Sequence, residues 1–136
     1  MKKHFLISLF ILFGLILSAC ASAPALAGTT WKLVSYGPAD NPTPAAPGVE
    51  TSVTFDKDGK INGSVGCNSF SGDYKVAGGQ VKFGAIATTL MACEDTVMQQ
   101  ESGVFAVLTG TVNFKIDGDT LTISTTDGAS ALTLKT

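Results

Sequence analysis

The sequence predicts a mainly β domain with one helix (α+β), in which an antiparallel meander forms a small curved sheet or a partly closed barrel. Short segments that alternate apolar and polar residues dominate the chain, and turn residues separate them. Such alternation is typical of antiparallel strands that bury one face. A single segment, residues 94–108, has helical spacing instead. We expect this amphipathic helix to pack on or into the sheet.

The predicted strands follow one another through glycine turns. Ala77-Gly78-Gly79 and Asp117-Gly118-Asp119 are hairpin signatures, because glycine supplies the positive φ that tight turns require. The alternating segments are residues 30–34, 52–55, 60–65, 70–76, 80–83, 112–116, 121–124 and 131–134.

A proline-rich segment separates the first two strands. Residues 37–48 include four of the five prolines and are too many for a simple hairpin turn. Because proline donates no ladder hydrogen bond, we expect a loop that takes no part in the sheet. The loop is either a contact surface or a solvated insertion.

The helix has recognisable ends. Acidic residues lie where the helix dipole favours negative charge, Thr96 and Gln99 form a candidate capping box, and Gly110 is a candidate stop. Gly103 in the interior costs about 1 kcal/mol relative to alanine. The apolar positions expected to face the core are Val97, Met98, Val104, Phe105 and Leu108.

The N-terminus has the features of a lipoprotein signal. Two lysines precede an apolar run at residues 5–17, which is shorter than the roughly 20 residues that span a bilayer. Leu17-Ser18-Ala19-Cys20 then resembles a lipobox, with cleavage before Cys20 and lipid on its sulfur. We therefore divide the chain into a signal peptide (1–19), a lipidated cysteine with a short tether (20–28) and a domain (29–136).

The alternatives are ordinary cleavage after Ala23 or Ala27 and an uncleaved anchor. Lipidation predicts attachment to the cell membrane or outer membrane at the extracytoplasmic face.

Composition restricts the chemistry of the remaining chain. Removal of residues 1–19 leaves seven lysines against eleven acids, no arginine and no histidine, because the only histidine is His4. Nucleic-acid binding is therefore not expected. Histidine-based catalysis and imidazole metal sites are excluded. No spacing recommends a carboxylate pair, a Ser-Lys dyad or an oxygen-only cation site, so we predict a protein that is not an enzyme and has no cofactor and no metal.

Three segments resemble the successive signatures of the META domain, typified by the heat-shock-inducible HslJ proteins. They are residues 28–36 (GTTWKLVSY), 66–74 (GCNSFSGDY) and 87–93 (ATTLMAC), in the family's order. The resemblance implies a compact domain of mostly antiparallel strands around a helix, often behind a lipoprotein signal. It implies no settled activity, but an association with stress, envelope integrity and drug tolerance.

We expect structural roles for the motif residues. Trp31 is interpreted as a core anchor, and Asn68 as a hydrogen-bond partner for backbone groups at a bend. Tyr74 is expected to have its ring in the core and its hydroxyl at the rim. Thr88 and Thr89 lack a histidine base and are interpreted as satisfying polar groups rather than as nucleophiles. The full set is Trp31, Gly66, Asn68, Gly72, Tyr74, Thr88, Thr89 and Met91, where the two glycines bracket a bulge or a close approach.

Cys67 and Cys93 fall within two of these motifs. With Cys20 lipidated, they are an even pair in a compartment that permits oxidation, which predicts a disulfide. Buried free thiols and a redox role are the alternatives, and two cysteines without histidine make a poor metal site.

These observations leave three functional hypotheses. The first is a lipid-anchored, non-enzymatic envelope protein that binds a protein or envelope component in stress or drug tolerance, with its membrane contact through lipid on Cys20. The second is a carrier of a small hydrophobic ligand in the barrel. The third is an enzyme, or an inhibitor of an extracytoplasmic enzyme that presents an exposed loop such as 38–47.

Overall fold

The computed structural model describes residues 25–136, so the predicted signal peptide and Cys20 lie outside the described residues. The elements are β1 Thr29–Pro38, β2 Thr43–Pro44, β3 Ser52–Phe55, β4 Lys60–Ser64, β5 Ser69–Ala77, β6 Gln80–Phe83, β7 Ala87–Thr88, α1 Asp95–Val107, β8 Thr111–Asp117, β9 Thr120–Thr125 and β10 Ser130–Lys135. Eight antiparallel strands form a closed barrel, in the order β1-β3-β4-β5-β6-β8-β9-β10, and β10 pairs with β1 to close it. Two short strands pair from outside this ring, β2 with β1 and β7 with β5.

The mainly β fold with one helix is confirmed, and the barrel is fully closed rather than partly open. Each predicted strand is present, within a few residues of its predicted bounds. Closure is possible because β1 is long enough to pair with β3 through its first residues and with β10 through the rest. A register shift between Leu33 and Ser35 lets β1 bend from one partner to the other.

The two ends of the barrel have different connections. We call one the turn end: it holds residues 25–28, the turns 56–59, 78–79 and 118–119, and Thr136. We call the other the loop end: it holds the connections 39–51, 65–68, 89–94 and 126–129, of which 39–51 and 89–94 are longer than any turn of the turn end. The antiparallel register defines them, since Phe55 pairs with Ile61 beside one end and Ser52 with Ser64 beside the other.

The barrel encloses one continuous hydrophobic core. Trp31, Phe55, Ile61, Ile123 and Leu132 are among its fully buried side chains. Helix α1 packs against β1, β9 and β10, and its contribution to the same core is Val104, Val107 and Leu108.

Three expectations about local structure were wrong. The proline-rich segment does take part in the sheet: β1 continues to Pro38, and Thr43–Pro44 pairs with β1 as an edge strand, where a missing N–H is tolerated. The helix begins at Asp95 with Glu94 as N-cap, without a side-chain cap bond, so Thr96 and Gln99 form no capping box. The buried helix face is also only partly as expected. Val104 and Leu108 are buried and Phe105 packs against the core, as predicted. Val97 and Met98, however, are only partly buried, whereas Gln100 and Glu101 are buried.

Candidate functional site

A buried polar network connects two loops of the loop end. The Glu101 carboxylate accepts hydrogen bonds from the backbone N–H groups of Cys67 (3.0 Å) and Asn68 (2.7 Å) and from the Asn68 side-chain amide (2.7 Å). Asn68 Oδ1 in turn accepts from the Thr89 hydroxyl (2.9 Å) and the Met91 N–H (2.7 Å). A single carboxylate on α1 thus fixes the 65–68 connection, which in turn holds the 89–94 connection.

Gln100, the residue before Glu101, fixes the proline-rich connection by hydrogen bonds. Its side chain is fully buried, accepts from the Ala46 N–H and donates to the Val65 carbonyl, both at 2.7 Å. Ala46 lies 54 residues before Gln100 in sequence. Two adjacent helix residues therefore hold three connections of the loop end.

The predicted disulfide is present. Cys67 and Cys93 are bonded, with Cα atoms 5.8 Å apart. In the chain-entropy estimate, a bridge over this separation of 26 residues stabilises by about 3 to 4 kcal/mol. It fixes the 89–94 connection beside the residues that Asn68 holds through hydrogen bonds.

The connection fixed in this way presents apolar side chains to solvent. Leu90 is 95% exposed and Met91 is 58% exposed, although the Met91 backbone is bound to Asn68. The neighbouring residues 87–96 are also exposed. We call Leu90 and Met91 the apolar tip.

A groove of about 470 Å³ lies between the proline-rich connection and the start of α1. Its apolar walls come from Tyr36, Pro44, Pro47, Val49 and Val97. Glu94 contributes a carboxylate, and Thr43, Thr96 and Gln99 contribute further polar groups. We call this the proline groove.

The loop-end connections are acidic. They contain Asp40, Glu50, Glu94 and Asp127, and the first residue of α1 is Asp95. The seven lysines of residues 25–136 all lie on barrel strands or in the 56–59 turn. The apolar tip and the proline groove therefore lie in a negatively charged environment.

The other motif residues lie in or against the barrel. Trp31 is fully buried, and Tyr74 has a buried ring packed edge-on against Phe55 while its hydroxyl donates to the Asp56 carbonyl at 2.6 Å. Burial, together with the nearby Asp56 charge, raises the pKa of Tyr74. Thr88 is exposed on β7, where it pairs with Phe70 of β5.

The two motif glycines are points of close approach. A Cβ at Gly66 would lie 3.0 Å from the Val97 carbonyl oxygen of α1, and one at Gly72 would lie 2.7 Å from Ile86 Cδ1. Gly66 thus lets the 65–68 connection touch the helix that organises it.

The described residues contain no candidate metal cluster. Residues 25–136 contain no group of three or more His, Cys, Asp or Glu side chains arranged to hold a metal ion. Over the same range, no helix is long and apolar enough to cross a membrane.

Sequence reasoning missed Gln100, Glu101 and Leu90 as important positions. Polar residues within a helix resemble a solvent-facing surface, and Leu90 resembles a core residue. One available signal was that Gln100 and Glu101 precede Val104 by four and three positions, which places all three on one helical face.

Comparisons with other proteins support the fold. The META domain family model matches residues 24–136. An NMR structure of a protein from Burkholderia xenovorans is similar over 99% of this chain and 97% of that one, with a TM-score of 0.67 and 22% identity. A crystal structure of a DUF4847 family protein from Bacteroides vulgatus covers 81% of this chain and 93% of its own, with a TM-score of 0.58 and 15% identity. No curated protein matches the sequence.

Proposed function

Because the chain belongs to the META domain family, for which the match covers residues 24–136, we propose that it is a lipid-anchored, non-enzymatic envelope protein that binds a protein partner through its loop end. Exposure of the apolar tip on a fixed connection carries this proposal. Involvement in stress or drug tolerance belongs to the same proposal.

The two adjacent side chains of the apolar tip would gain free energy from burial against a partner. Burial of one leucine or methionine gains about 1.5 to 3 kcal/mol, and Leu90 leaves nearly all of that unused in the free protein. A single exposed leucine is ordinary, but here a disulfide and a buried carboxylate network hold its loop. A loop that is already ordered loses less entropy when it docks.

The position of the first described residues, 25–28, supports a partner beyond the membrane surface. Residues 25–28 lie at the turn end, where the Gly28 N–H donates to the Phe55 carbonyl and Leu26 is buried. An anchor at Cys20 would therefore hold the turn end nearer the bilayer and direct the loop end away from it.

The test is photo-crosslinking in intact cells with a photoreactive residue at position 90. Val76 is the matched control, because it is an exposed apolar residue (47%) near the other end of the barrel. We expect a discrete protein adduct from position 90 and none from position 76. Equal adducts at both positions, or none at either, would contradict the proposal.

A carrier of a small hydrophobic ligand is the second candidate, and one observation favours it. The Trp31 indole N–H is buried and has no hydrogen-bond partner among the described residues. A ligand with an acceptor atom would satisfy it. The closely packed core weighs against this function, because a carrier needs internal space.

Titration with a medium-chain fatty acid tests the carrier hypothesis. Saturable binding that shifts the Trp31 indole resonance would support it. Unchanged spectra at millimolar ligand would exclude a carrier of this class.

A further inference from the structure

We propose that the proline groove binds a cationic side chain of the partner, arginine in preference to lysine. This rests on the proposed function, because it assigns a chemistry to the partner that docks at the loop end. The groove would act as a specificity pocket beside the apolar tip.

The walls of the groove suit a side chain with an apolar stem and a charged head. Pro44, Pro47 and Val49 form an apolar surface along which a methylene stem can pack. Tyr36 supplies an aromatic ring, and a guanidinium stacks on such rings more readily than an ammonium does. Glu94 supplies a carboxylate that can receive two N–H donors from a guanidinium.

The helix dipole and the nearby carboxylates have opposite effects on the charge of the ligand that the groove prefers. The start of α1 carries about half a positive charge from the helix dipole, which alone would favour an anion. Glu94 and Asp95 place two full negative charges at the same helix end, and the loop-end connections contain no lysine. The carboxylates outweigh the dipole, so the groove favours a cation.

The groove is fixed before a partner arrives. Gln100 holds Ala46 on one wall, and the Ala45 N–H donates to the Val34 carbonyl of β1. Tyr36 packs against the Cα of Gly103, where a Cβ would lie 2.5 Å from the ring. A fixed groove binds a side chain with a smaller entropy loss.

The experiment titrates the ¹⁵N-labelled protein with acetyl-glycyl-arginyl-glycine amide, and separately with the citrulline peptide, which has nearly the same shape but no charge. We expect millimolar binding of the arginine peptide with shifts at Val49 and Val97. Glu94→Gln should weaken that binding about three-fold, the range of a partly exposed ion pair. The citrulline peptide should bind more weakly and be insensitive to the substitution.

Asp117→Asn is the matched control, because it removes one charge beside the turn end. It should leave arginine-peptide binding unchanged, whereas a general charge effect would weaken it as much as Glu94→Gln does. Equal binding of the two peptides, or shifts confined to other surfaces, would overturn the assignment of the groove. A positive crosslink at position 90 would then still support the proposed function, so the two failures are distinguishable.

Discussion

The turn end and the loop end of the barrel are built by different means. At the turn end, short turns connect neighbouring strands, and Gly59, Gly78 and Gly118 supply the positive φ that these turns need. At the loop end, contacts 21 to 54 residues apart in sequence hold the connections 39–51, 65–68 and 89–94, whereas 126–129 is a local turn with positive φ at Gly128. Local residues thus determine the turn end, and one helix organises three of the four connections at the loop end.

This difference between the two ends bears on the binding role proposed for the loop end. The connections of the turn end are short turns, whereas at the loop end a buried carboxylate, a buried amide and a disulfide hold exposed residues in place. Binding residues are often found on loops that a rigid scaffold positions. The loop end therefore depends on long-range contacts in a way that substitutions can test.

Glu101→Ala should have the largest effect on the loop end. It leaves the N–H groups of Cys67 and Asn68 and the Asn68 amide without their acceptor in a buried site, at a cost of about 3 to 5 kcal/mol. Urea denaturation measures the free energy of unfolding. Glu50→Ala, which removes an exposed acid at the same end, should leave it nearly unchanged. Equal effects of the two substitutions would show that the network does not organise this end.

Glycine-to-alanine substitutions should affect the stability of the protein differently at the two ends. Gly103→Ala gains helix propensity but places a Cβ against the Tyr36 ring, so we expect a net loss of about 1 to 2 kcal/mol. Gly79→Ala at the turn end meets no atom within 4 Å and needs no positive φ, so stability should be unchanged or rise by about 0.5 kcal/mol. Thermal unfolding of both variants measures this, and a stabilised Gly103→Ala would contradict the packing of Tyr36 on the helix.

The same contrast explains how much the sequence could predict. Strands such as β3 and β6 match their predicted bounds because alternation and glycine turns are local signals. The helix was predicted within one residue at each end, and Val104 and Leu108 were correctly predicted to be buried. Burial of Gln100 and Glu101 was not predicted, because they become buried only when distant loops supply their partners.

The candidate site was predicted only in part, because some of its features depend on distant parts of the chain. Asn68 was expected to bond backbone groups, and it bonds the backbone of Met91, but nothing local to residues 89–94 indicates that Leu90 faces solvent. The disulfide was predictable from the cysteine count together with the predicted extracytoplasmic location. Participation of Pro44 in an edge strand depends on β1 having a free side there, which only the assembled barrel reveals.

Among the destabilising substitutions, Tyr74→Phe should have the smallest effect, and its signature is pH dependence at the turn end. Loss of the hydroxyl bond to the Asp56 carbonyl costs about 1 kcal/mol near neutral pH. Since burial raises the pKa of Tyr74 above its ordinary value of about 10, the folded state retains the phenolic proton longer than the unfolded state. The stability contributed by the neutral phenol is therefore complete below pH 10 and is lost as the pH rises through the folded pKa. Urea denaturation from pH 7 to 11 should show that the difference in free energy of unfolding between wild type and variant narrows above pH 10. Lysine titration does not affect this difference, because it is common to both proteins. A gap that stays constant to pH 11 would mean that the turn end does not shield this hydroxyl.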